Sequence, residues 1–134
     1  MYELTHHIVS LPTSQYIQEY RNPEKFISFC QQCERYNRCW ACPPFEFNTD
    51  EYLSGYQQTY IIGTKITFET ATRNSCTTLE QHKTISLQAI ESARKIIDPQ
   101  LLTLEHEYPD SRAFYAGTCH LCPLNSCTRI NGFP

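Results

Sequence analysis

Apolar and β-branched runs, broken by prolines and capping residues, divide the chain into extended and helical stretches. Residues 4–11 alternate loosely and carry Ile8 and Val9 before Pro12, which predicts a short strand at a sheet edge, where proline's missing N–H is tolerated. Thr13 or Ser14 stands where it can cap a helix bearing Tyr16, Ile17 and Tyr20. Asn22-Pro23 restarts it with proline at the first helical position, and Phe26, Ile27 and Phe29 then lead into Cys30. Residues 43–50 open with Pro43-Pro44, which fix φ and bias the preceding residue away from helix, so a stiff extended loop is expected. Asn48 and Glu51 have capping-box spacing for a short helix that Gly55 stops.

The richest β-forming stretch is residues 59–68, with Tyr60, Ile61, Ile62, Ile66 and Phe68. Thr77 with Glu80 then matches a second capping box, opening a helix with Leu79, Ile85, Ala89, Ile90, Ala93, Ile96 and Ile97 at helical spacing, expected to pack on the sheet. Asp98-Pro99 predicts its end and the start of another helix carrying Leu101, Leu102 and Leu104, closed by Pro109-Asp110. Residues 113–117 read as a last strand. The fold class expected is α/β or α+β, a small mixed sheet with packed helices and cysteine-rich loops converging on a metal site.

Length adds that 134 residues, 40% of them hydrophobic, suit a single metal-binding domain spanning residues 1–134. Net charge is -3, with Lys and Arg scattered, so no basic stripe is available for nucleic acid. The N-terminal residues lack a signal peptide's basic and apolar regions, and no run reaches the roughly 18 apolar residues that a membrane span needs. The expected setting is cytoplasmic, without a membrane partner. The sequence leaves the oligomeric state open.

In a reducing compartment the eight cysteines ask for an explanation other than disulfides. Seven fall in two clusters, Cys30-x2-Cys33-x5-Cys39-x2-Cys42 and Cys119-x2-Cys122-x4-Cys127. A Cys-x2-Cys turn lets two sulfurs converge on one ion, and two such arms complete a tetrahedron. Seven thiolates are one short of two complete sites, so a single shared centre is the simpler arrangement. Cys119, Cys122 and Cys127 then need one more ligand, with Cys42 first in line on its Pro-Pro loop and Cys33 next. Cys30 and Cys39 are either spectators or members of a second, incomplete site.

Iron-sulfur and zinc centres both accept four thiolates. Cys42 and Cys122 each precede proline, which offers no N–H to a sulfur, and a Cys-Pro step recurs among iron-sulfur ligands. Tyr36, Trp40, Phe45 and Leu121 are bulky enough to exclude water. These features favour an iron-sulfur cluster of the 4Fe-4S type, with zinc as the alternative cofactor.

Cys33-x2-Tyr36-x3-Trp40-x-Cys42-Pro43-Pro44, and Ala116-Gly117-x-Cys119-x-Leu121-Cys122 followed by Cys127, resemble a family of bacterial and archaeal cysteine-rich predicted metal-binding proteins of unknown function. The resemblance implies metal binding by the cysteines, as an iron-sulfur centre, and no known reaction. Cys39 departs from it, standing where the family pattern has a polar or basic residue. Members also continue beyond Gly132-x-Pro134 with a further Cys. A chain stopping at Pro134 is therefore expected to be a truncated member, or one that completes its site from the first cluster through Cys42.

Disulfides remain the competing explanation for the clusters, and packing is the expected role of the isolated Cys76. His6, His7, His82 and His106 have no partner at metal spacing, while His120, inside the second cluster, is expected beside the ligands rather than among them. Tyr36 and Trp40 are read as packing around the loop. No catalytic triad or phosphate-binding loop is present. The functions left are electron transfer or redox sensing with a redox partner protein, a structural zinc module, or a thiol-disulfide enzyme.

Overall fold

The computed structural model describes residues 1–123 and 125–133, so Pro134, the end of the C-terminal motif, lies outside the described residues. The elements run β1 (Tyr2–Pro12), α1 (Thr13–Tyr20), α2 (Pro23–Gln31), α3 (Thr49–Ser54), β2 (Gln58–Phe68), α4 (Thr70–Ser75) and α5 (Leu79–Glu107), with a 3-10 turn at Thr128–Asn131. This is a mixed α/β fold whose sheet is a two-stranded antiparallel ribbon. The chain divides into two compact units.

The first unit holds Met1–Ser10 and Tyr60–Phe114. The Tyr2 and Phe68 rings meet edge to face at 6.0 Å, and His6 Nδ1 lies 3.0 Å from Thr64 Oγ1. The terminal amine of Met1 pairs with Glu69 at 2.6 Å, and the Glu69 N–H donates to the Met1 carbonyl. Helix α5 is capped by Thr78 rather than Thr77. The Thr78 hydroxyl accepts from the Gln81 N–H, and the Gln81 side chain accepts from the Thr78 N–H, forming the capping box one position later than expected.

Nor does α5 end at Asp98. It continues through Pro99 to Glu107, as one helix of 29 residues. An interior proline removes a backbone bond and costs about 3 kcal/mol. Opposing this, Ala89 and Ala93 are buried, with Ile85, Ile97 and Leu101 half-buried on the same four-residue spacing. Arg94 also grips Asp98 with two nitrogens, Nε at 3.1 Å and Nη2 at 2.8 Å from Oδ2, in a setting where both side chains are largely buried. The stripe and the ion pair carry the helix across the proline.

Residues 113–117 form no strand. The Ala113 N–H donates to Glu105 Oε2 at 2.8 Å instead of to a ladder, and Phe114 stays 63% exposed. Helix α4, absent from the sequence reading, fills the connection after β2.

The second unit holds Leu11–Thr59 and the described residues from Tyr115 onward. Asn22 caps α2 by accepting from the Lys25 N–H, with Pro23 at the first helical position. Asn48 caps α3 by accepting from the N–H groups of Asp50 and Glu51, and Gly55 follows the last turn. Arg21 joins these pieces, donating to Thr49 Oγ1 at 2.7 Å and pairing with Asp50. The buried Thr13 is bonded twice, its N–H to the Gln57 carbonyl and its hydroxyl to that of Thr59.

Among the described residues only Leu11, Thr13, Cys39, Ala89 and Ala93 are buried. Apart from Leu11 near the end of β1 and Thr13 at the head of α1, the buried residue of the second unit is therefore a cysteine.

Candidate metal centre

Both arms of the first cluster close as hydrogen-bonded turns. Cys30 lies in the last turn of α2, and the Cys33 N–H donates to its carbonyl at 3.0 Å. The Cys42 N–H donates likewise to the Cys39 carbonyl at 3.0 Å. Between them Asn37 takes a positive φ of 60°, a conformation Asn tolerates better than most residues, and its N–H reaches the Pro43 carbonyl at 2.8 Å. The loop folds back on itself there and presents Cys39 inward. The Pro43-Pro44 bond is cis, so the expected extended stretch begins with a bend.

Segment 127–133 is held against this loop by two side chains. Trp40 Nε1 donates to Thr128 Oγ1 at 3.0 Å and to the Phe133 carbonyl at 2.8 Å. Arg129 Nη1 donates to the carbonyls of Cys39 (2.9 Å) and Cys42 (2.6 Å), and Nη2 to Asn37 Oδ1 and the Pro44 carbonyl. The guanidinium carbon also lies 5.1 Å from the centre of the Trp40 ring, a cation–π contact. Gly132, at φ 73°, ends the 3-10 turn in the left-handed conformation that glycine takes without strain.

These ties bring sulfurs together. Cys39, 6% exposed, shares hydrogen bonds with the thiols of both Cys42 and Cys127. Burial pushes the Cys42 thiol up to about 11, reinforced by the charge of Cys39, by its hydrogen bond with Cys39 and by the charge of Cys33, with Arg35 opposing. Cys127 moves the other way. The backbone N–H groups of Arg129 and Trp40 point at its sulfur and favour the thiolate, aided by the Cys39 thiol and the Arg129 charge.

Of the seven expected ligands, the structure thus gathers Cys39, Cys42 and Cys127, with Cys33 near enough to feel Cys42. Cys30 is half-buried on α2, Cys119 is half-buried, and Cys122 is exposed; none of these three thiols joins the sulfur contacts among the described residues. Cys76 lies apart, in the first unit just after α4. His120 is exposed. No group of three His, Cys, Asp or Glu side chains among the described residues stands at ion-binding geometry.

Cys39, expected as a spectator or a member of a second site, is the thiol that acts on both Cys42 and Cys127. Arg129 was not singled out in the sequence. An arginine two residues after a cysteine carries no periodic signal, and its acceptors lie 85 to 92 residues away in the chain. Trp40 was read as packing and supplies two hydrogen bonds as well.

The donor set is all sulfur, which suits zinc or iron and not the oxygen-seeking calcium or magnesium. Two backbone N–H groups on one sulfur and a neighbouring guanidinium are the surroundings that stabilise anionic metal-thiolates. No curated protein and no solved structure matches the chain. A family described as "Predicted metal-binding protein (DUF2284)" matches residues 16–133, which include both cysteine clusters and the two side chains that tie them. With nearly all of its length so matched, the chain belongs to this family of predicted metal-binding proteins.

Proposed function

We infer that the protein carries one cysteine-ligated metal centre, with ligands drawn from Cys33, Cys39, Cys42 and Cys127, and that it serves electron transfer or redox sensing with a redox partner protein. The observation that carries this reading is the run of sulfur contacts from Cys42 through Cys39 to Cys127, which joins two remote segments at the buried point of the second unit. An iron-sulfur cluster held there would accept and release single electrons. The chain's own part is to hold it. Trp40 and Arg129 close the loop over the sulfurs, Arg35 and Arg129 offset thiolate charge, and the prolines after Cys42 keep that loop stiff.

One observation favours zinc as a second reading. Thiols near enough to act on one another suit a single tetrahedral ion, whose bonds of about 2.3 Å draw its ligands closer together than an iron-sulfide cube does. In that case the centre is structural and couples metal binding to folding.

Metal and sulfide analysis of anaerobically purified protein separates the two. Brown protein with iron and acid-labile sulfide supports the cluster, and colourless protein with one zinc per chain supports the ion. Cys39→Ala and Cys127→Ala should each lose the metal, whereas Cys76→Ala should keep it. Full occupancy in both of the first two variants would sink the assignment.

A further inference from the structure

A buried thiol beside two others has a second outcome besides metal binding. Cys39 and Cys127 come from segments that the Arg129 fork and the Trp40 indole already hold together, and the Trp40 backbone N–H beside Cys39 donates to the Cys127 sulfur. Cross-segment bonds thus flank the two cysteines: Trp40, next to Cys39, bonds Thr128, next to Cys127, and Arg129 bonds the Cys39 carbonyl. We propose that Cys39 and Cys127 form a peroxide-driven disulfide that closes the metal-free centre, so that oxidation and metal binding exclude each other. This exclusion rests on the ligand set inferred above; the disulfide itself rests on the contacts alone.

Exposure sets the order of events. Cys127 is half-exposed and can meet a small oxidant, whereas Cys39 is shielded. The Cys127 sulfur attacks one oxygen of hydrogen peroxide; the O–O bond breaks, water leaves, and a sulfenic acid forms. The Cys39 sulfur then attacks the sulfenic sulfur, an S–S bond replaces the S–O bond, and a second water leaves with the Cys39 proton. Two thiols have lost two electrons and peroxide has become two waters. Cys39 is placed for the second step because the Trp40 indole and the Arg129 guanidinium hold its segment against the one that carries Cys127, and its thiol is among the groups that act on the Cys127 sulfur. Cys42, the other neighbour of Cys39, is less suited, because its thiol bonds to Cys39 within one tight turn while Cys127 is pinned by two amides of its own.

The bond would also change what the centre can do. With Cys39 and Cys127 joined, two of the four sulfurs can no longer act as thiolates, and the metal has lost half its ligands.

The test uses the full chain, reduced, stripped of metal by a chelator and treated anaerobically with one equivalent of hydrogen peroxide. The thiol count should fall by two from eight. Tandem mass spectrometry of the unreduced tryptic digest should place the bond between Cys39 and Cys127. It should persist in Cys42→Ser and vanish in Cys127→Ser. Zinc affinity should drop by about tenfold or more on oxidation and return with dithiothreitol. A bond mapped to Cys39 and Cys42, or to any other pair, overturns the proposal, as does an oxidised chain that binds zinc as well as the reduced one. The bond is mapped on the unmutated chain, so a variant that fails to fold leaves the result readable. Reduced protein that takes up no metal would count against the metal centre, and the bridge map would still judge the disulfide.

Discussion

Cys39 owes its position to an arginine. Arg129 donates to four acceptors at once, three of them backbone carbonyls of the loop that carries the thiols. Hydrogen bonds from a charged donor contribute about 1.5–3 kcal/mol each when buried, and these are only partly so. Arg129→Ala is expected to destabilise the second unit by at least ~2 kcal/mol and to weaken metal binding more than tenfold, measured by chemical denaturation and by competition with a chromophoric chelator. Arg129→Lys should recover little, since an ammonium restores the charge and not the planar fork. The Cys42 thiol gives the residue scale a pH signature. Its proton is held up to about 11, against 9.0 for the free side chain, so between those values the unfolded chain ionises while the folded metal-free chain does not. Stability from this group is whole below pH 9 and falls as the pH rises toward 11. If Cys42 is a ligand, as inferred above, metal displaces the same proton, and apparent metal affinity should climb with pH across the neutral and mildly alkaline range. A titration in which affinity is flat would contradict the presence of Cys42 among the ligands.

Among the elements, helix α5 shows how far local signals reach. Asn22-Pro23, Asn48 and the β-branched stretch of β2 were legible because cap, proline position and strand propensity act within a few residues, and the structure places α2, α3 and β2 there. Pro99 was equally visible and misled, because the residues that override it, Ala89 and Ala93 on the buried stripe and Arg94 on Asp98, act through burial that sequence spacing cannot display. Residues 113–117 failed for a related reason, as the Glu105 carboxylate takes the N–H that a strand would have used. The candidate site divides the same way: the Cys-x2-Cys turns at 30–33 and 39–42 are local and were legible, while the approach of segment 127–133 to the Cys39 loop runs through Arg129 and Trp40, whose partners lie 85 to 93 residues away. Two substitutions test the account of α5. Pro99→Ala should stabilise the protein, by about 1 kcal/mol or more, by restoring a backbone donor. Arg94→Met should destabilise it by roughly 1–3 kcal/mol by stranding a largely buried Asp98. Thermal unfolding followed by circular dichroism at 222 nm reads both.

At the scale of the whole molecule, the division into two units assigns different sources of stability. The first unit has a long capped helix, a strand ribbon and the Arg94–Asp98 pair, whereas the second buries a thiol besides Leu11 and Thr13. Metal should therefore matter unequally. Chelation is expected to speed amide hydrogen exchange by tenfold or more in residues 37–44 and 127–133, and to leave the middle of α5 nearly unchanged. Uniform acceleration across both regions would contradict this. Among the described residues no helix is long and apolar enough to cross a membrane.

The contacts that complete the centre also impose a schedule. Trp40 and Thr128 stand 88 residues apart. At the usual pace of about 5–20 residues per second, a ribosome needs roughly 4 to 18 s to make the stretch between them. For that interval the nascent chain exposes Cys30, Cys33, Cys39 and Cys42 without Cys127 or the Arg129 clasp. Metal taken up by the ligands inferred above would therefore be held only after residues 127–133 have emerged, and a cell short of metal or rich in oxidant would meet this protein first as an open set of thiols.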